Sequence, residues 1–475
     1  MKPNFRFLLA LLGAALGLAA CGGDQQLASG GVGEGGTGIV IGTTTGFGSV
    51  IVDGAAWDDR EARIEVEADP RLPAELADLK LGQRVELEYA HPDVARQIRI
   101  EAEAIGPIAA IDPTAGHLTV AGQRVRVNVD PLAGPVTLFE GVADLAGLAI
   151  ADIVEIHGSP RFEAAAGRSV VLASRIEKRA ALPGGLIRVA GRVQDYDPAT
   201  RRFRLGDLTV AASTALIVPA NRTLANGQSV VVWSDAPLGA GPTLDARFIR
   251  IRERASADRE AQVAGPVSRY DAANARFEIG DIAVDARAAT VEPASQTLAD
   301  GKYVVVKGRF GSDGVLLASK IKIRRPGAGD IEIELKGTIT DFASAADFRV
   351  RGVRVDAAAA RLTACPATGL AADLYVEIEG GLQGGRVVAS RVSCRPEPGT
   401  GAVVERRGRA DNVDVANRTF ALTPVAGTTI AVAWTDTTLF VAPLTPQTLA
   451  GRDVEVTGYF GAAGVFTARR IELQN

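Results

Sequence analysis

The stretch that decides the fold runs from Leu298 to Ile323 and reads LADGKYVVVKGRFGSDGVLLASKIKI. In its first half Val304 and Val306 recur with the period of two that is typical of a strand with one buried face. Residues 311–314 supply a glycine-rich turn, and residues 315–323 return as a second apolar strand. The stretch is therefore predicted to form a β-hairpin.

Versions of this hairpin recur six times along the chain. Every copy closes with Ala-x-x-Ile or Ala-x-x-Val, and this pattern begins at Ala95, Ala173, Ala246, Ala318, Ala389 and Ala468. A glycine that opens the first strand of each repeat recurs in step with it, at Gly38, Gly106, Gly191, Gly265, Gly337 and Gly408. Successive glycines lie 68 to 85 residues apart, which indicates a tandem repeat of roughly 70 residues.

Each repeat offers about five short strands with one apolar face to hide, a pattern that favours a small curled sheet. We predict an all-β fold of six tandem, OB-like, five-stranded barrels. The alternative is an open five-stranded half-sandwich stacked on its neighbour. Because such small repeats have thin cores, neighbouring barrels are expected to pack together. The predicted β repeats span 38–103, 104–180, 186–254, 262–325, 331–395 and 402–475.

The first 20 residues have the features of a secretory signal peptide. Two basic residues precede an apolar run from Phe7 to Ala20, which is too short to span a bilayer as a helix. The sequence Leu-Ala-Ala-Cys that ends at Cys21 resembles the lipobox of bacterial lipoproteins, which implies lipidation of Cys21. The alternative is an ordinary cleaved signal followed by an incidental cysteine. By the same resemblance, the presence of glycine rather than aspartate at position 22 implies sorting to the outer membrane. Residues 21–37 are predicted to be a flexible tether.

The opening of the first repeat carries a family resemblance. The segments GTGIVIGTTTGFGSV (residues 36–50) and IVDG (51–54), together with the recurring hairpin, resemble a large bacterial lipoprotein family built from repeated small β-barrel domains of unknown function. The resemblance extends over nearly all of the chain after the signal. It implies no catalytic residue.

The charge balance gives no sign of a nucleic-acid partner. The chain has 52 lysines and arginines against 56 acidic residues, a net charge of −4. Removing residues 1–20 takes away Lys2 and Arg6, so the mature chain has a net charge of −6. A modestly acidic protein lacks the basic patch that binds nucleic acid or anionic lipid. Since no later apolar run is long enough for a membrane helix, the lipid is the predicted attachment to the membrane.

No catalytic site, metal site or cofactor is predicted. The three histidines, which we expect at the surface, are too few for a histidine-based triad or a multi-histidine metal site; they are His91, His117 and His157. An aspartate recurs at one turn position of four repeats, where it is predicted to cap its own backbone; these are Asp112, Asp197, Asp271 and Asp414.

Large amphipathic side chains are candidates for ligand stacking. Trp57, Trp233, Trp434 and Tyr196 could form platforms for a sugar or for peptidoglycan. The alternative is that these rings pack across neighbouring strands, which is the commoner role of aromatic residues in sheets.

The remaining cysteines, Cys365 and Cys394, both lie in the fifth repeat. A lone pair within one small exported domain is predicted to form a disulfide, because the extracytoplasmic environment is oxidising. The third and fifth strands of an OB-like barrel are neighbours, and the two cysteines follow and end these strands. Two buried free thiols are the alternative.

These observations favour a membrane-anchored envelope lipoprotein with a non-enzymatic structural or interaction role. Its partner would be an envelope protein or a glycan, and the protein would face either the periplasm or the cell exterior. The alternative is an array of carbohydrate-binding or peptidoglycan-binding modules. The sequence does not identify the ligand.

Overall fold

The computed structural model describes residues 37–67, 74–91, 93–164, 167–235, 242–252, 259–324, 333–395, 401–425, 427–461 and 464–474. The predicted signal peptide and the predicted lipidation site, Cys21, lie outside these residues. Regular structure within the described ranges is β-strand, with short 3-10 helices such as Leu145–Gly147 and Pro183–Gly185. The all-β prediction is confirmed. Within the same ranges, no helix has both the length and the apolar character needed to cross a membrane.

The strands fall into six successive units, numbered here from the N-terminus. Unit 1 comprises β1 (Gly38–Phe47), β2 (Val50–Val52), β3 (Ala55–Trp57), β4 (Arg63–Val66), β5 (Glu75–Leu76), β6 (Arg84–His91) and β7 (Val94–Ile100). Unit 2 comprises β8 (Ala104–Asp112), β9 (His117–Val120), β10 (Gln123–Val127), β11 (Leu138–Glu140), β12 (Ile153–Glu163) and β13 (Arg168–Arg179). Unit 3 comprises β14 (Ile187–Arg192), β15 (Gln194–Asp197), β16 (Arg202–Leu205), β17 (Leu208–Ala211), β18 (Leu216–Val218), β19 (Ser229–Ser234), β20 (Thr243–Asp245) and β21 (Phe248–Ile251).

The second half of the chain repeats the same plan. Unit 4 comprises β22 (Glu260–Asp271), β23 (Arg276–Ile279), β24 (Ile282–Asp285), β25 (Thr290–Glu292), β26 (Tyr303–Phe310) and β27 (Leu316–Ile323). Unit 5 comprises β28 (Ile333–Ser344), β29 (Asp347–Val350), β30 (Val353–Asp356), β31 (Arg361–Thr363), β32 (Tyr375–Gln383) and β33 (Arg386–Arg395). Unit 6 comprises β34 (Val403–Asp414), β35 (Thr419–Thr423), β36 (Ile430–Phe440), β37 (Asp453–Phe460) and β38 (Phe466–Leu473).

The predicted hairpin is present as β26 and β27, which pair antiparallel. Val304 and Val306 are fully buried, whereas Val305 between them is only half-buried. The alternation read from the sequence therefore separates the core face of this strand from its outer face.

Pairing within a unit follows a recurring order, of which unit 5 is an example. Strand β28 pairs antiparallel with both β29 and β32, and β29 pairs with β30. Strands β30 and β31 then run parallel to β33, and β33 closes the ring by pairing antiparallel with β32. In unit 6 the corresponding order, β34-β35-β36-β38-β37, forms a closed barrel.

A two-residue turn joins the second and third strands of several units. In unit 5 it consists of Arg351 and Gly352, with φ angles of 54° and 73°. Two successive positive φ angles define the turn type whose twist matches that of the flanking strands. Asp53-Gly54 and Ala121-Gly122 occupy the corresponding turns of units 1 and 2. Glycine meets the conformational demand at the second position, and the first position carries a side chain on a backbone in the left-handed region.

The units are not discrete barrels in a row, and this part of the sequence prediction is corrected. Strand β1 pairs in parallel with β22 of unit 4 and with β28 of unit 5, so units 1, 4 and 5 share a 19-stranded sheet. Strand β8 pairs with β14, which joins units 2 and 3. The physical reason is that part of each first strand pairs within its own unit along one edge only, and the backbone groups of its other edge pair with another unit.

Gly46 allows one of these junctions to form. A Cβ atom at Gly46 would lie 2.4 Å from the backbone oxygen of Glu334 in β28. Any larger residue would therefore push β28 away from β1. Gly46 belongs to the glycine-rich opening segment of the first repeat, so this segment has a packing role at the junction of units 1 and 5.

Unit 1 contacts all five other units. Besides the two strand pairings, its side chains form ion pairs with three further units: Lys80 with Glu177 of unit 2, Glu67 with Arg188 of unit 3, and Asp59 with Arg469 of unit 6. Each repeat is predicted from the sequence to pack on its neighbours in the chain. Unit 6 packs on its neighbour, unit 5, and also on unit 1, where the two partners of the last pair are 410 positions apart.

The hydrophobic cores merge across units. Buried residues of units 1 and 5 form one continuous cluster, and those of units 2 and 3 form another. Ile39 and Ile41 of β1 extend into the core of unit 4. Because a unit of this size encloses little apolar volume by itself, sharing cores increases the buried apolar area.

The predicted disulfide is present between Cys365 and Cys394, whose Cα atoms are 4.7 Å apart. Cys365 lies two residues after the end of β31, and Cys394 lies in β33. These strands run parallel as neighbours, which places the two cysteines side by side. The bridge links the third-strand region of unit 5 to its last strand.

Candidate ligand-binding cavity

The predicted stacking residues are enclosed and lie far apart in the fold. Trp57, Trp233 and Trp434 are 3%, 3% and 7% exposed, and Tyr196 is half-buried against the core shared by units 2 and 3. Their burial argues against stacking on a ligand and fits the packing alternative. The ring neighbours are Tyr89 for Trp57, the guanidinium groups of Arg188 and Arg250 for Trp233, and Phe420 and Phe440 for Trp434.

His157 is fully buried, so the expectation that all three histidines lie at the surface is wrong for this residue. Its Nε2 atom lies 2.8 Å from Oε1 of Glu155, and its Nδ1 atom lies 3.1 Å from the backbone oxygen of Glu101. Burial alone would raise the pKa of Glu155, but His157 and Arg179 lower it to about 2. These contacts indicate an internal polar network that holds β12.

The recurring aspartates cap their own turns, as predicted. Asp197 accepts hydrogen bonds from the backbone of Ala199 and from the hydroxyl of Thr200. Asp271 and Asp414 accept corresponding bonds from the third residue after each of them. Among the residues that the structure describes, no group of three or more histidine, cysteine, aspartate or glutamate side chains is arranged to hold a metal ion.

A cavity of about 330 Å³ lies where units 1, 5 and 6 meet. Residues of all three units line it. Five arginines line it, namely Arg349, Arg351, Arg407, Arg469 and Arg470. Six acidic residues line it as well, namely Asp59, Asp78, Asp341, Glu405, Glu455 and Glu472.

Most of these charges are neutralised by partners within the wall. Asp59 Oδ2 lies 2.7 Å from Nη1 of Arg469. Nη2 of Arg407 lies 2.8 Å from Asp341 Oδ1 and 2.6 Å from Glu455 Oε2. The cavity therefore presents alternating hydrogen-bond donors and acceptors with little net charge.

The two-residue turn of unit 5 brings Arg351 to the cavity. Because this turn position has a positive φ, the side chain leaves the hairpin and crosses Gly337, whose missing Cβ would lie 3.0 Å from Cγ of Arg351. The guanidinium carbon then lies 5.7 Å from the centre of the Phe47 ring of unit 1. Arg351 thus spans the junction between units 5 and 1.

Glu405 enters the cavity wall from β34 of unit 6. Its Oε2 atom accepts a hydrogen bond of 2.8 Å from the backbone nitrogen of Thr338. Its own backbone nitrogen donates to the Thr338 hydroxyl at 3.2 Å. This reciprocal pair fixes the carboxyl group and leaves Oε1 turned away from Thr338.

Three side-chain atoms of residues that line the cavity have no hydrogen-bond partner among the described residues: Glu405 Oε1, Arg351 Nη1 and Arg470 Nε. All three atoms are covered by protein, and Arg470 Nε lies 3.3 Å from Oδ2 of Asp78 in an ion pair. Glu405 is only 4% exposed. Its Oε1 atom lies 3.8 Å from Nε of Arg351, which is within ion-pair range but too long for a hydrogen bond. The cavity is the candidate binding site because arginines and carboxylates of three units converge in its wall.

Burial raises the pKa of Glu405, and the nearby Glu455 raises it further against the opposing effect of Arg351. Burial likewise raises the pKa of Glu455. Glu405 therefore takes up a proton more readily than a surface glutamate. Its Oε1 atom can accept a hydrogen bond when ionised and donate one when protonated.

A second buried charge cluster surrounds Glu67, where units 1 and 3 meet. Its Oε2 atom lies 2.6 Å from Arg188 Nη2 and 2.7 Å from Arg252 Nη2. Burial alone would raise the pKa of Glu67, but Arg252, Arg188 and Arg250 outweigh that effect and lower it. None of these residues lines the cavity. We interpret this cluster as a link between units.

Sequence reasoning did not identify the cavity residues. The available signal was weak: Arg351 occupies a turn position that carries aspartate in unit 1 and alanine in unit 2. Nothing in the local pattern indicates that Glu405 and Asp59 would meet it.

A protein-family model matches four segments of the chain. The model described as "Domain of unknown function (DUF5666)" matches residues 105–177, 264–322, 336–393 and 407–472, which together make up more than half of the chain. The chain belongs to the DUF5666 family. The DUF5666 segments correspond to units 2, 4, 5 and 6, so two of the three units around the cavity are DUF5666 domains.

Other comparisons add little. No curated protein matches the chain. The solved structure of Drosophila Unr CSD456 matches with 13% sequence identity over 46% of this chain and 98% of that chain, at a TM-score of 0.13. A similarity at this level carries no conclusion about fold or function.

Proposed function

We propose that this DUF5666 protein is a lipid-anchored, non-enzymatic interaction protein of the bacterial outer membrane. In this proposal it binds a small polar molecule in the cavity between units 1, 5 and 6. The observation that carries the proposal is the cavity itself, whose wall brings together arginines and carboxylates from three units. A concave site with convergent polar groups is the usual form of a small-molecule binding site.

We further propose that each unit is an OB-like barrel. The recurring order of pairing, in which the first strand joins the second and fourth and the third runs parallel to the fifth, supports this assignment. The barrels in this proposal are fused through β1 rather than arranged as separate beads.

The membrane location rests on the sequence. The apolar run, the lipobox-like segment that ends at Cys21 and the polar tether together support lipidation and export. The disulfide between Cys365 and Cys394 supports an oxidising compartment. Cys21→Ala is expected to abolish lipid attachment, as seen by intact mass, and to move the protein into the soluble fraction. Unchanged membrane association would refute the anchor.

Ligand binding is tested with the purified mature protein against small solutes of four charge classes: neutral, anionic, cationic and zwitterionic. Isothermal calorimetry should detect binding of at least one class to the wild type. Arg351→Asn removes the guanidinium group while keeping a residue that tolerates a positive φ. It should weaken that binding.

The matched control is Arg354→Gln in the same hairpin of unit 5. Arg354 pairs with Asp347 at the surface, 3.0 Å away, and is not part of the cavity wall. Its replacement should leave binding unchanged. If no solute of any class binds, the proposed function is wrong.

A further inference from the structure

We propose that His157 is a pH-sensitive link between units 1 and 2, which holds the two units together while its ring carries two protons and loosens their junction when it loses one. This inference goes beyond the proposed function, because it concerns a junction that takes no part in the cavity. It rests on the contacts that the structure gives to both nitrogens of a fully buried imidazole ring.

Both ring nitrogens of His157 face an acceptor. Nδ1 lies 3.1 Å from the backbone oxygen of Glu101, and a carbonyl oxygen can only accept a hydrogen bond. Nε2 lies 2.8 Å from Oε1 of Glu155. A neutral imidazole has a single N–H, so either tautomer would turn a lone pair toward an oxygen. The doubly protonated ring satisfies both contacts.

The proton between the two side chains belongs to His157 rather than to Glu155. Nε of Arg179 donates to Oε2 of Glu155 at 2.9 Å, and such a bond favours the ionised carboxylate. Burial alone would raise the pKa of Glu155, but His157 and Arg179 lower it to about 2. An ionised carboxylate has no proton to donate, so Nε2 of His157 is the donor.

A series of ion pairs continues from Glu155 to unit 1. Nη1 of Arg179 lies 3.3 Å from Oε1 of Glu177, and the same oxygen lies 3.1 Å from Nζ of Lys80. Lys80 precedes β6 of unit 1, whereas Glu101 follows β7 of that unit. His157 is therefore joined to unit 1 twice, directly at the Glu101 carbonyl and indirectly at Lys80.

The other charges around the ring come from several elements. Arg175 lies opposite His157 in the pairing of β12 with β13 and is itself held by Glu177 at 3.2 Å. Strand β8 pairs with β12 here and has no charged residue before Asp112. The charged residues of the elements around this part of β12 are Glu155 on β12, Arg175, Glu177 and Arg179 on β13, Arg84 and Glu86 on β6, Glu101 and Glu103 between units 1 and 2, and Arg269 on β22.

The pH dependence has a defined sign. An unfolded histidine loses its second proton at about pH 6.5. A group that is charged in the folded state because it gains partners on folding contributes its full stability below that pH, and the contribution is lost as pH rises. Once His157 is neutral, a lone pair faces an oxygen in a site without exposed surface, so the junction should open more often in alkaline solution.

The first experiment detects the proton on the ring. The mature protein contains three histidines, so isotope-labelled histidine gives three sets of ring signals by nitrogen NMR, and His157→Gln identifies the set that belongs to His157. At about pH 7.5, one unit above the ordinary value for histidine, both ring nitrogens of His157 should carry a proton. A ring with one unprotonated nitrogen at this pH would overturn the inference.

The second experiment measures the junction by hydrogen exchange and mass spectrometry of the purified mature protein. The backbone nitrogen of Glu103 donates to the oxygen of Ile156 at 2.8 Å, so its protection reports on the contact between β12 and the end of unit 1. After correction for the intrinsic effect of pH, this protection should fall at least about tenfold from about pH 6 to about pH 8.5. His157→Gln should show no such fall, because glutamine does not titrate.

Two controls separate this effect from a general response to pH. His91→Gln replaces an exposed histidine at the end of β6 and should leave the fall in protection unchanged. The hairpin of β32 and β33 contains no histidine, and its protection should stay constant. If His157→Gln fails to fold, His91→Gln and His117→Gln identify the ring signals by elimination, and the wild-type measurements decide. Protection of Glu103 that is constant with pH, or that falls equally in His157→Gln, would overturn the inference.

Discussion

Replacement of Glu67 by glutamine is expected to lower the free energy of unfolding by about 3 kcal/mol. Glu67 follows β4, and its side chain is only 2% exposed where it meets Arg188 and Arg252. Glutamine keeps the shape and one acceptor oxygen but removes the negative charge. Two arginines that are almost fully buried then lose their shared carboxylate.

The expected loss of unfolding free energy depends on the partners that Arg188 and Arg252 keep when Glu67 is replaced. Removing one member of a buried ion pair costs about 3–5 kcal/mol. Arg252 keeps a second carboxylate, with Nε 3.5 Å from Oε1 of Glu101. Arg188 keeps a hydrogen bond to the backbone oxygen of Ala102. The lower end of the range is therefore expected.

The assay is urea unfolding followed by tryptophan fluorescence and circular dichroism. Trp233 reports on this junction, because its ring centre lies 5.9 Å from the guanidinium carbon of Arg188. Coincident transitions by the two probes would establish a single unfolding step. Asp347→Asn breaks the surface pair with Arg354 and serves as the control, with an expected change below about 1 kcal/mol.

The pH dependence of this effect has a defined sign. The carboxyl of Glu67 has a pKa below its ordinary value of 4.5, because Arg252, Arg188 and Arg250 outweigh burial. Such a group contributes stability above its unfolded pKa, and this contribution is lost as pH falls. The difference between wild type and Glu67→Gln should be full at neutral pH and shrink below about pH 4.5. A variant as stable as the control, or a difference that persists in acid, would refute the reasoning.

Three further predictions concern other parts of the fold. Replacing Cys365 and Cys394 together by alanine should destabilise unit 5 by roughly 3.5 kcal/mol, because the disulfide closes a loop with a sequence separation of 29 and so restricts the unfolded chain. Unchanged urea unfolding of the variant would contradict this prediction. Glu405→Gln should raise the melting temperature at pH 7, because burial raises the pKa of Glu405 and folding therefore favours its protonated form. The effect should be smaller below about pH 4.5, where the glutamate is itself protonated. A lower melting temperature of the variant at pH 7 would oppose this account. Proteolytic cleavage within residues 325–330 should leave units 4 and 5 in one species on gel filtration, because β1 pairs with a strand of each unit. Separate fragments would show that the pairings of β1 with β22 and β28 are weak.

The candidate site shows the limit of reasoning from sequence. Large amphipathic aromatic residues are the candidates that the sequence offers for stacking, yet Trp57 and Trp233 fill the interior. The cavity instead uses ordinary charged residues such as Glu405, whose type is common on any β surface. What distinguishes Glu405 is its burial against Thr338 of another unit, and burial between units is not encoded in a local pattern.

The sequence by itself determined the repeat, the strands, the hairpin turns and the cysteine pair, because these depend on alternation, turn residues and spacing over a few tens of residues. Only the tertiary structure decided that unit 1 contacts every other unit and that Asp59 meets Arg469, 410 residues away. Contacts between units depend on which strand edges stay unpaired within a unit and on where a glycine such as Gly46 allows another backbone to approach. The cavity arises from that arrangement, since three units with separate local patterns each supply part of its wall.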